Sequence, residues 1–264
     1  MRIVFTDLDA TLLDHETYDW RPAKPALERL RAEGSPVVLC TSKTSAEVEM
    51  LWREIGLEAP FIVENGGGVF LPPAFHQAGQ RVDAVQGDFQ VLNLGAPYAE
   101  LRDCLKTDGH PLGARGFGDM SAEEVAATTG LDLADAERAR QRSFTEPFLL
   151  DHESKLPELK AAAQTRGLTV TRGGRFFHLL GAGQDKGRAV ERVAALIDPQ
   201  ARTIGLGDSP NDRGMLEAVD IAIIVPHPGR TPLSLSRQDV VHAPAPGPVG
   251  WNAAVLSLLD AQAE

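Results

Sequence analysis

Cysteine is scarce in this chain: Cys40 and Cys104 are the only two. They form no C-x-x-C motif, so neither a disulfide framework nor a cysteine zinc site has support. Cys40 closes the apolar run Val37-Val38-Leu39-Cys40 and reads as a small core residue. Positive charge is also short. Lys and Arg number 26 against 37 Asp and Glu, for a formal charge of −11. That balance argues against a nucleic acid or an anionic membrane surface as the main partner. An acidic ligand would need a local pocket built from named arginines, lysines or a metal. No apolar run approaches the ~20 residues that span a bilayer. Asp7 and Asp9 interrupt what would otherwise be a leader-like opening, and the expectation is a cytoplasmic protein. There is no internal repeat and no low-complexity tract.

What is present is ordinary globular material: 43% hydrophobic and 24% charged residues over 264 positions, enough for one large domain or two small ones. The order of elements is informative. Ile3–Thr6, Pro36–Cys40 and Pro60–Val63 are short apolar runs that predict buried strands. Between them, Lys24–Glu33 and Ser45–Ile55 carry helical periodicity and are stopped by Gly34 and Gly56. Val69–Leu71 follows as a hairpin strand. This rhythm predicts a parallel, doubly wound, Rossmann-like α/β core. It changes at about Ala84. From there to Leu180 the sequence predicts an α+β insertion with antiparallel strands at Phe89–Leu94, Phe144–Leu150, Leu168–Arg172 and Arg175–Leu180. Its helices are expected near Pro97–Thr107, Ser121–Thr129, Leu133–Gln141 and Glu153–Arg166, and Gly113–Gly118 reads as a flexible stretch. After a linker, Lys186–Ile197, Thr203–Leu206, Arg213–Ala218 and Asp220–Val225 resume the α/β alternation. A short strand at Asp239–Val241 and a helix at Val249–Gln262 end it. The expected organisation is a core of residues 1–83 and 181–264 carrying an inserted domain of residues 84–180.

Several chemistry-bearing groups fall just beyond the ends of predicted core strands. Asp7 and Asp9 follow the first strand, Thr41 and Ser42 the second, and Asp208 and Asp212 the strand Thr203–Leu206. Lys186 instead opens a helix. In open α/β sheets the ligand crevice lies outside the carboxyl ends of the strands, so the topology gathers these groups. By itself the Asp7/Asp9 pair could be no more than an Asp-capped turn. Four carboxylates against one lysine, however, leave an anionic excess that demands protons or a cation. Oxygen ligands without His or Cys favour a hard ion, and Mg²⁺ takes carboxylates, waters and a substrate phosphate. Lys186, backbone N–H groups and the Thr41 or Ser42 hydroxyl are the groups available to hold phosphate oxygens.

These residues resemble the four motifs of the haloacid-dehalogenase-like phosphatase superfamily. The D-x-D-x-T motif is Asp7, Asp9 and Thr11; a Thr/Ser follows the second strand; a lysine comes next; and G-D-x-x-x-D is Gly207, Asp208 and Asp212. The resemblance covers essentially the whole chain, and the insertion is similar to the family's larger α+β cap. It implies that Asp7 is the nucleophile forming an aspartyl-phosphate, and that Asp9 protonates the leaving oxygen and then activates water. It implies Mg²⁺ held by the Asp7 carboxylate, the Asp9 backbone carbonyl and Asp208. Asp212 would position the lysine or a metal-bound water, and Lys186 would stabilise the phosphoryl charge. Thr41 corresponds to the motif-two hydroxyl, with Ser42 as runner-up. Asn65 and Gly66 stand where related sugar phosphatases have an Asn-Gly near the phosphate, although Asn-Gly is equally a hairpin signal.

Two segments of the insertion resemble the mannosyl-3-phosphoglycerate phosphatase branch: Arg142-Ser143-Phe144-Thr145-Glu146-Pro147-Phe148 and Gly173-Gly174-Arg175-Phe176-Phe177-His178. The resemblance implies a small anionic sugar-phosphoglycerate as substrate and a mannosylglycerate product of the compatible-solute kind. Glu146 suits sugar hydroxyls, Arg172 or Arg175 a bidentate grip on a carboxylate, and His178 either of these, with Arg142 nearby. As a plain alternative, the second segment is a solvated charged hairpin. Glucosyl-3-phosphoglycerate is a second expected substrate. Another sugar-phosphate phosphatase, or a phosphomutase sharing the motifs, stands as the alternative activity.

Overall fold

The computed structural model describes residues 1–77, 79, 81–173, 176–227, 229 and 233–261. In the first half of the chain the elements are β1 (Arg2–Thr6), α1 (Lys24–Ala32), β2 (Val37–Leu39), α2 (Ser45–Ile55), β3 (Phe61–Val63), β4 (Gly68–Leu71), β5 (Ala84–Gln86), β6 (Phe89–Asn93) and α3 (Tyr98–Cys104). The next group is β7 (Ala114–Gly116), α4 (Ala122–Thr129), α5 (Leu133–Ala139), β8 (Thr145–Leu150), α6 (Leu156–Thr165), β9 (Leu168–Arg172) and β10 (Phe177–Gly181). The chain finishes with α7 (Lys186–Ile197), β11 (Arg202–Gly207), α8 (Arg213–Ala218), β12 (Ile221–Ile224), β13 (Val240–His242) and α9 (Gly247–Asp260).

A parallel five-stranded sheet, ordered β13-β12-β11-β1-β2, forms the centre. Along β1 the side chains alternate between two buried layers, as the two-residue period of a strand requires. Val4 joins a cluster with Ala26 and Leu30 of α1 and Trp251 of α9. Ile3 and Phe5 join the opposite one, with Val190 and Val193 of α7 and Met215 of α8. Full burial of each such side chain contributes about 1.5–3 kcal/mol, which is why the opening run has to be central. Both faces are covered by helices, as parallel sheets demand.

Register does the work of assembling the site. Thr6 pairs with Leu206 on one side and with Leu39 on the other. The residues just past these positions, Asp7, Asp208 and Thr41–Ser42, therefore emerge at the same edge of the sheet. β1 is also where the strand order reverses, since β2 lies on one side and the later strands on the other.

Two antiparallel sheets complete the fold, ordered β3-β4-β6-β5 and β7-β8-β10-β9. The first continues from the central sheet through an isolated parallel bridge between Cys40 and Ile62. Its hairpin β5–β6 is hydrogen-bonded to β4, so the boundary expected at residue 84 falls inside this sheet. Gly113–Gly118 differs from expectation: it is not a loose stretch, because Ala114–Gly116 pairs with Phe148–Leu150 as an edge strand. The expected helix near Pro97–Thr107 is α3 followed by a wider π-type turn over Leu105–Gly109. Among the described residues no helix is long and apolar enough to cross a membrane. Cys40 and Cys104 are both free and buried.

Candidate active site

β1 delivers Asp7 directly. Its N–H bonds to the Leu206 carbonyl at 2.9 Å, which continues the sheet by one residue. Beyond it the chain turns tightly: the N–H groups of Thr11 and Leu13 both donate to the Leu8 carbonyl, and Ala10 takes a left-handed φ of 59°. Asp9 sits on this turn with a half-exposed side chain, and Thr11 reaches back to donate to Asp208 at 3.3 Å.

Lys186 is the electrostatic centre. It opens α7 just after Asp185, whose carboxylate caps the helix by accepting from the Gly187 and Arg188 N–H groups. The lysine is buried, and Nζ donates at 2.7 Å to both Asp7 Oδ1 and Asp212 Oδ1. Burial opposes its charge, but Asp212 and Asp7 outweigh that and hold its pKa above the ordinary lysine value. The other Asp212 oxygen accepts from the Asp208 and Ser209 N–H groups and the Ser209 hydroxyl. Asp212 is thus committed to the lysine and to its own turn. Asp7 is pushed well above the usual carboxylate range, first by burial and then by Asp212 and Asp208, with Lys186 opposing.

Oxygens of Asp7, Asp208 and Asp212 lie within 4.8 Å of one another. Three buried carboxylates at that spacing repel one another, which adds to the effect of burial in raising the Asp7 pKa. An all-oxygen donor set of this kind fits a hard divalent cation.

The cleft onto which Asp7 and Asp208 open has a volume of about 300 Å³ and is walled jointly by core and insertion. Asp7, Asp9, Ser42, Asn65 and Asp208 come from the core, and Arg142, Arg172 and His178 from the insertion. Ser42 lies on the wall. Thr41 is fully buried behind it, where its hydroxyl oxygen accepts the Lys43 N–H at 3.2 Å. Asn65 occupies the left-handed region with φ 57° and ψ 40°, and its side-chain Oδ1 accepts from the Asn211 side-chain amide at 3.3 Å. Gly66 does not line this cleft; it packs so closely that a Cβ would collide with the Asp185 carbonyl.

The insertion residues divide. Arg142 reaches across to the core, donating at 2.7 Å to the Ser42 carbonyl, and is held within the insertion by a 2.8 Å bond to the Ala139 carbonyl. Arg172 is exposed at the rim and paired with Glu153 through two 2.8 Å bonds. His178 has a buried Nδ1 without a hydrogen-bond partner among the described residues, and burial together with Arg142 pushes its pKa down to about 3. Arg175 lies outside the described residues. Glu146 is not brought to the cleft. It is fully buried, with Oε1 accepting at 2.9 Å from Arg102 and from the Gly118 N–H and with the Tyr98 hydroxyl beside the carboxylate. A sugar-hydroxyl role for Glu146 fails on this packing: the alternation along β8 turns it inward, while Pro147 reaches the cleft wall.

Two residues that the sequence reading passes over belong to this account. Lys43, on the cleft wall, is ion-paired at 3.2 Å with Asp9 and at 3.6 Å with Glu47. Its signal was position, one residue beyond Thr41 and Ser42 at the same strand end. Glu64 is the other. It is buried at the turn carrying Asn65, yet nothing in its local sequence marks it.

Residues 4–78 and 131–227 match the family model described as haloacid dehalogenase-like hydrolase. The chain is 42% identical over 262 residues to the glucosyl-3-phosphoglycerate/mannosyl-3-phosphoglycerate phosphatase of Persephonella marina, covering 98% of this chain and 97% of that one. This chain belongs to the haloacid dehalogenase-like hydrolases, in the mannosyl-3-phosphoglycerate phosphatase branch. A protein of the same name from Methanococcoides burtonii is 40% identical, with 97% of each chain covered. Solved structures agree on the fold. A haloalkanoate-superfamily phosphatase from Bacteroides thetaiotaomicron has a TM-score of 0.69 at 17% identity, over 98% of this chain and 94% of that one. The sucrose-phosphatase of Synechocystis, solved with sucrose and phosphate, has a TM-score of 0.62 at 15% identity, over 98% of each chain. The chain is accordingly a phosphoric monoester hydrolase of this family.

Proposed function

We propose that the protein is a Mg²⁺-dependent phosphatase that converts mannosyl-3-phosphoglycerate to mannosylglycerate and phosphate, and that also accepts glucosyl-3-phosphoglycerate. One observation carries the reading: the aspartates and the arginine and histidine side chains of the insertion line a single cleft. A phosphate monoester seated on the aspartates would present its leaving group to those side chains. The names of the relatives in Persephonella and Methanococcoides support the same substrate pair. On this reading residues 94–181 form the cap that selects the leaving group, the remainder forms the catalytic core, and the reaction takes place in the cytoplasm.

Asp7 attacks phosphorus, and the bond from phosphorus to the glycerate oxygen breaks to leave an aspartyl-phosphate. Asp9 gives its proton to the departing oxygen. It then takes one from the water that attacks phosphorus, which releases phosphate and restores Asp7. Once Asp9 has given up its proton, Lys43, 3.2 Å away, pairs with the resulting carboxylate and orients it for the water step. Lys186 holds Asp7 in position and offsets charge on the phosphoryl oxygens, with the Ser42 wall and Asn65 on their other side. Asp7, Asp208 and the Asp9 carbonyl would hold Mg²⁺, which supplies Lewis-acid charge neutralisation and orientation. Neutral His178 suits hydroxyl recognition, and Arg142 and Arg172 suit a carboxylate.

A phosphate-release panel tests the proposal. With Mg²⁺, kcat/KM for mannosyl-3-phosphoglycerate should exceed that for mannose 6-phosphate by at least about 100-fold, or roughly 3 kcal/mol of transition-state discrimination. Comparable rates on simple hexose phosphates would overturn the substrate. Isomerised sugar phosphate without free phosphate would point to a mutase.

A further inference from the structure

The chain passes between the core-side sheet and the cap twice, and both passages meet the turn at Glu64–Gly67. At the first, the N–H groups of Leu94 and Gly95 both donate to the Gly67 carbonyl at 2.9 Å. At the second, the Gln184 side chain donates to the Glu64 carbonyl at 2.7 Å and accepts from the Gly181 N–H at 3.3 Å. The two passages press on each other: a Cβ on Gly181 would crowd the backbone of Ala96.

A third segment reaches the same turn without being a passage. Ser143, Phe144 and Thr145 lie far from both crossings in sequence, inside the insertion. Their three successive N–H groups donate to the Glu64 carboxylate at 2.8, 3.0 and 2.8 Å, and the Thr145 hydroxyl adds a fourth bond at 2.8 Å. The Phe144 side chain lies on Gly67 and Gly68, where a Cβ at either position would strike it. Phe144 packs in the core cluster with Phe61, Val63 and Phe70 and not in the clusters of the insertion. The carboxylate is enclosed, with Glu64 1% exposed, and backbone strain is accepted to put it there, since Glu64 and Asn65 both take positive φ, 50° and 57°. Its partners are four donors on three consecutive residues, which no single water could replace, so motion of the cap is expected to turn about this contact and not to break it.

We infer that Glu64 is a positioning residue: with Phe144 it forms a third, non-covalent pivot that fixes where the cap stands over the active site. The neighbours on either side of the contact give it a consequence for specificity. Arg142, next to the anchored segment, lines the cleft and grips the Ser42 carbonyl, and Asn65, next to Glu64, lines it from the core. Glu64 thereby sets the distance between the cap's cation and the phosphate end of the cleft, without touching either end of the substrate. The inference rests on the proposed phosphatase reading for its substrates and on the hydrogen-bond geometry for its mechanics.

Glu64→Gln tests it, because an amide keeps the size but cannot accept from all four donors. In the Mg²⁺-loaded full-length protein, KM for mannosyl-3-phosphoglycerate should rise at least about tenfold, as lost uniform binding would, while kcat/KM for p-nitrophenyl phosphate, which offers the cap no sugar or carboxylate, stays within about threefold. Amide hydrogen exchange of Ser143–Thr145 should quicken by at least about tenfold, and in the wild type these amides should be protected without ligand. Equal losses on both substrates, or no change in KM and exchange, would overturn the pivot. Should Glu64→Gln fold poorly, Thr145→Val removes one donor and should give the same split in smaller measure; an equal loss on both substrates would again overturn it. If the wild type cleaves p-nitrophenyl phosphate but no sugar phosphoglycerate, the substrate reading fails, and the exchange rates alone decide the pivot.

Discussion

Lys186 shows how one side chain makes an otherwise unfavourable cluster tolerable. A buried ammonium is costly, and so are the buried carboxylates on either side of it; the two 2.7 Å bonds make them mutually dependent. Removing the cation while keeping the volume should therefore be severe. Lys186→Met leaves Asp7 and Asp212 facing each other and should cost about 3–5 kcal/mol in denaturant unfolding of the metal-free protein. Added Mg²⁺ should recover part of that, because it replaces the missing positive charge beside Asp7. A loss below about 1 kcal/mol would mean that the aspartates were never held by the lysine. Residue identity together with position made this centre legible: Asp7, Asp9, Lys186, Asp208 and Asp212 are chemically conspicuous at strand and helix ends. Thr41 and Ser42 were harder to separate. Which of two adjacent hydroxyls reaches the cleft depends on how the chain leaves β2, and the structure puts Ser42 on the wall with Thr41 behind it.

At the level of elements, local signals carried the core and missed the pairings made at a distance. α2 and α7 span the ranges expected from the sequence; in the structure Thr44 and Asp185 cap their N-termini, and Gly56 follows α2 in the left-handed region. By contrast, Ala114–Gly116 carries no strand signal of its own. Three small or charged residues become a strand because Phe148–Leu150 offers them an edge. Glu146 misled for a related reason. Its type suggested substrate, but its register on β8 and its bond to Arg102 turn it into the interior of the insertion. At the turn after β3 the geometry requires a glycine. Gly66 has φ 86° and its Cα faces the Asp185 carbonyl. Gly66→Ala should destabilise the protein by at least about 1–2 kcal/mol from the left-handed backbone alone, with the collision adding to it. A thermal melt unchanged from the wild type would show that the turn and the start of α7 are not in contact.

For the molecule as a whole, the parallel sheet and the insertion answer different needs. The sheet gathers scattered acids and a lysine at one edge through register alone, which is why that part of the site could be read from the order of strands. The insertion adds Arg142 and Arg172 to the cations that the core already supplies, Lys43 and Lys186, and its placement over the core depends on Glu64, Phe144 and Arg142. Those contacts link residues some 80 to 100 positions apart, and no local pattern announces them. On the proposed reading, Asp7, backed by this architecture, carries out phosphoryl transfer from a sugar phosphoglycerate to water. Its most direct measurement is the inorganic phosphate released from mannosyl-3-phosphoglycerate by wild type and Asp7→Asn, with Mg²⁺ and with a chelator. The account predicts stoichiometric phosphate from the Mg²⁺-loaded wild type, and rates lower by at least about 1,000-fold, or roughly 4 kcal/mol, for the folded variant and for the chelated enzyme. Near-normal phosphate release by Asp7→Asn, or release undiminished by the chelator, would contradict it.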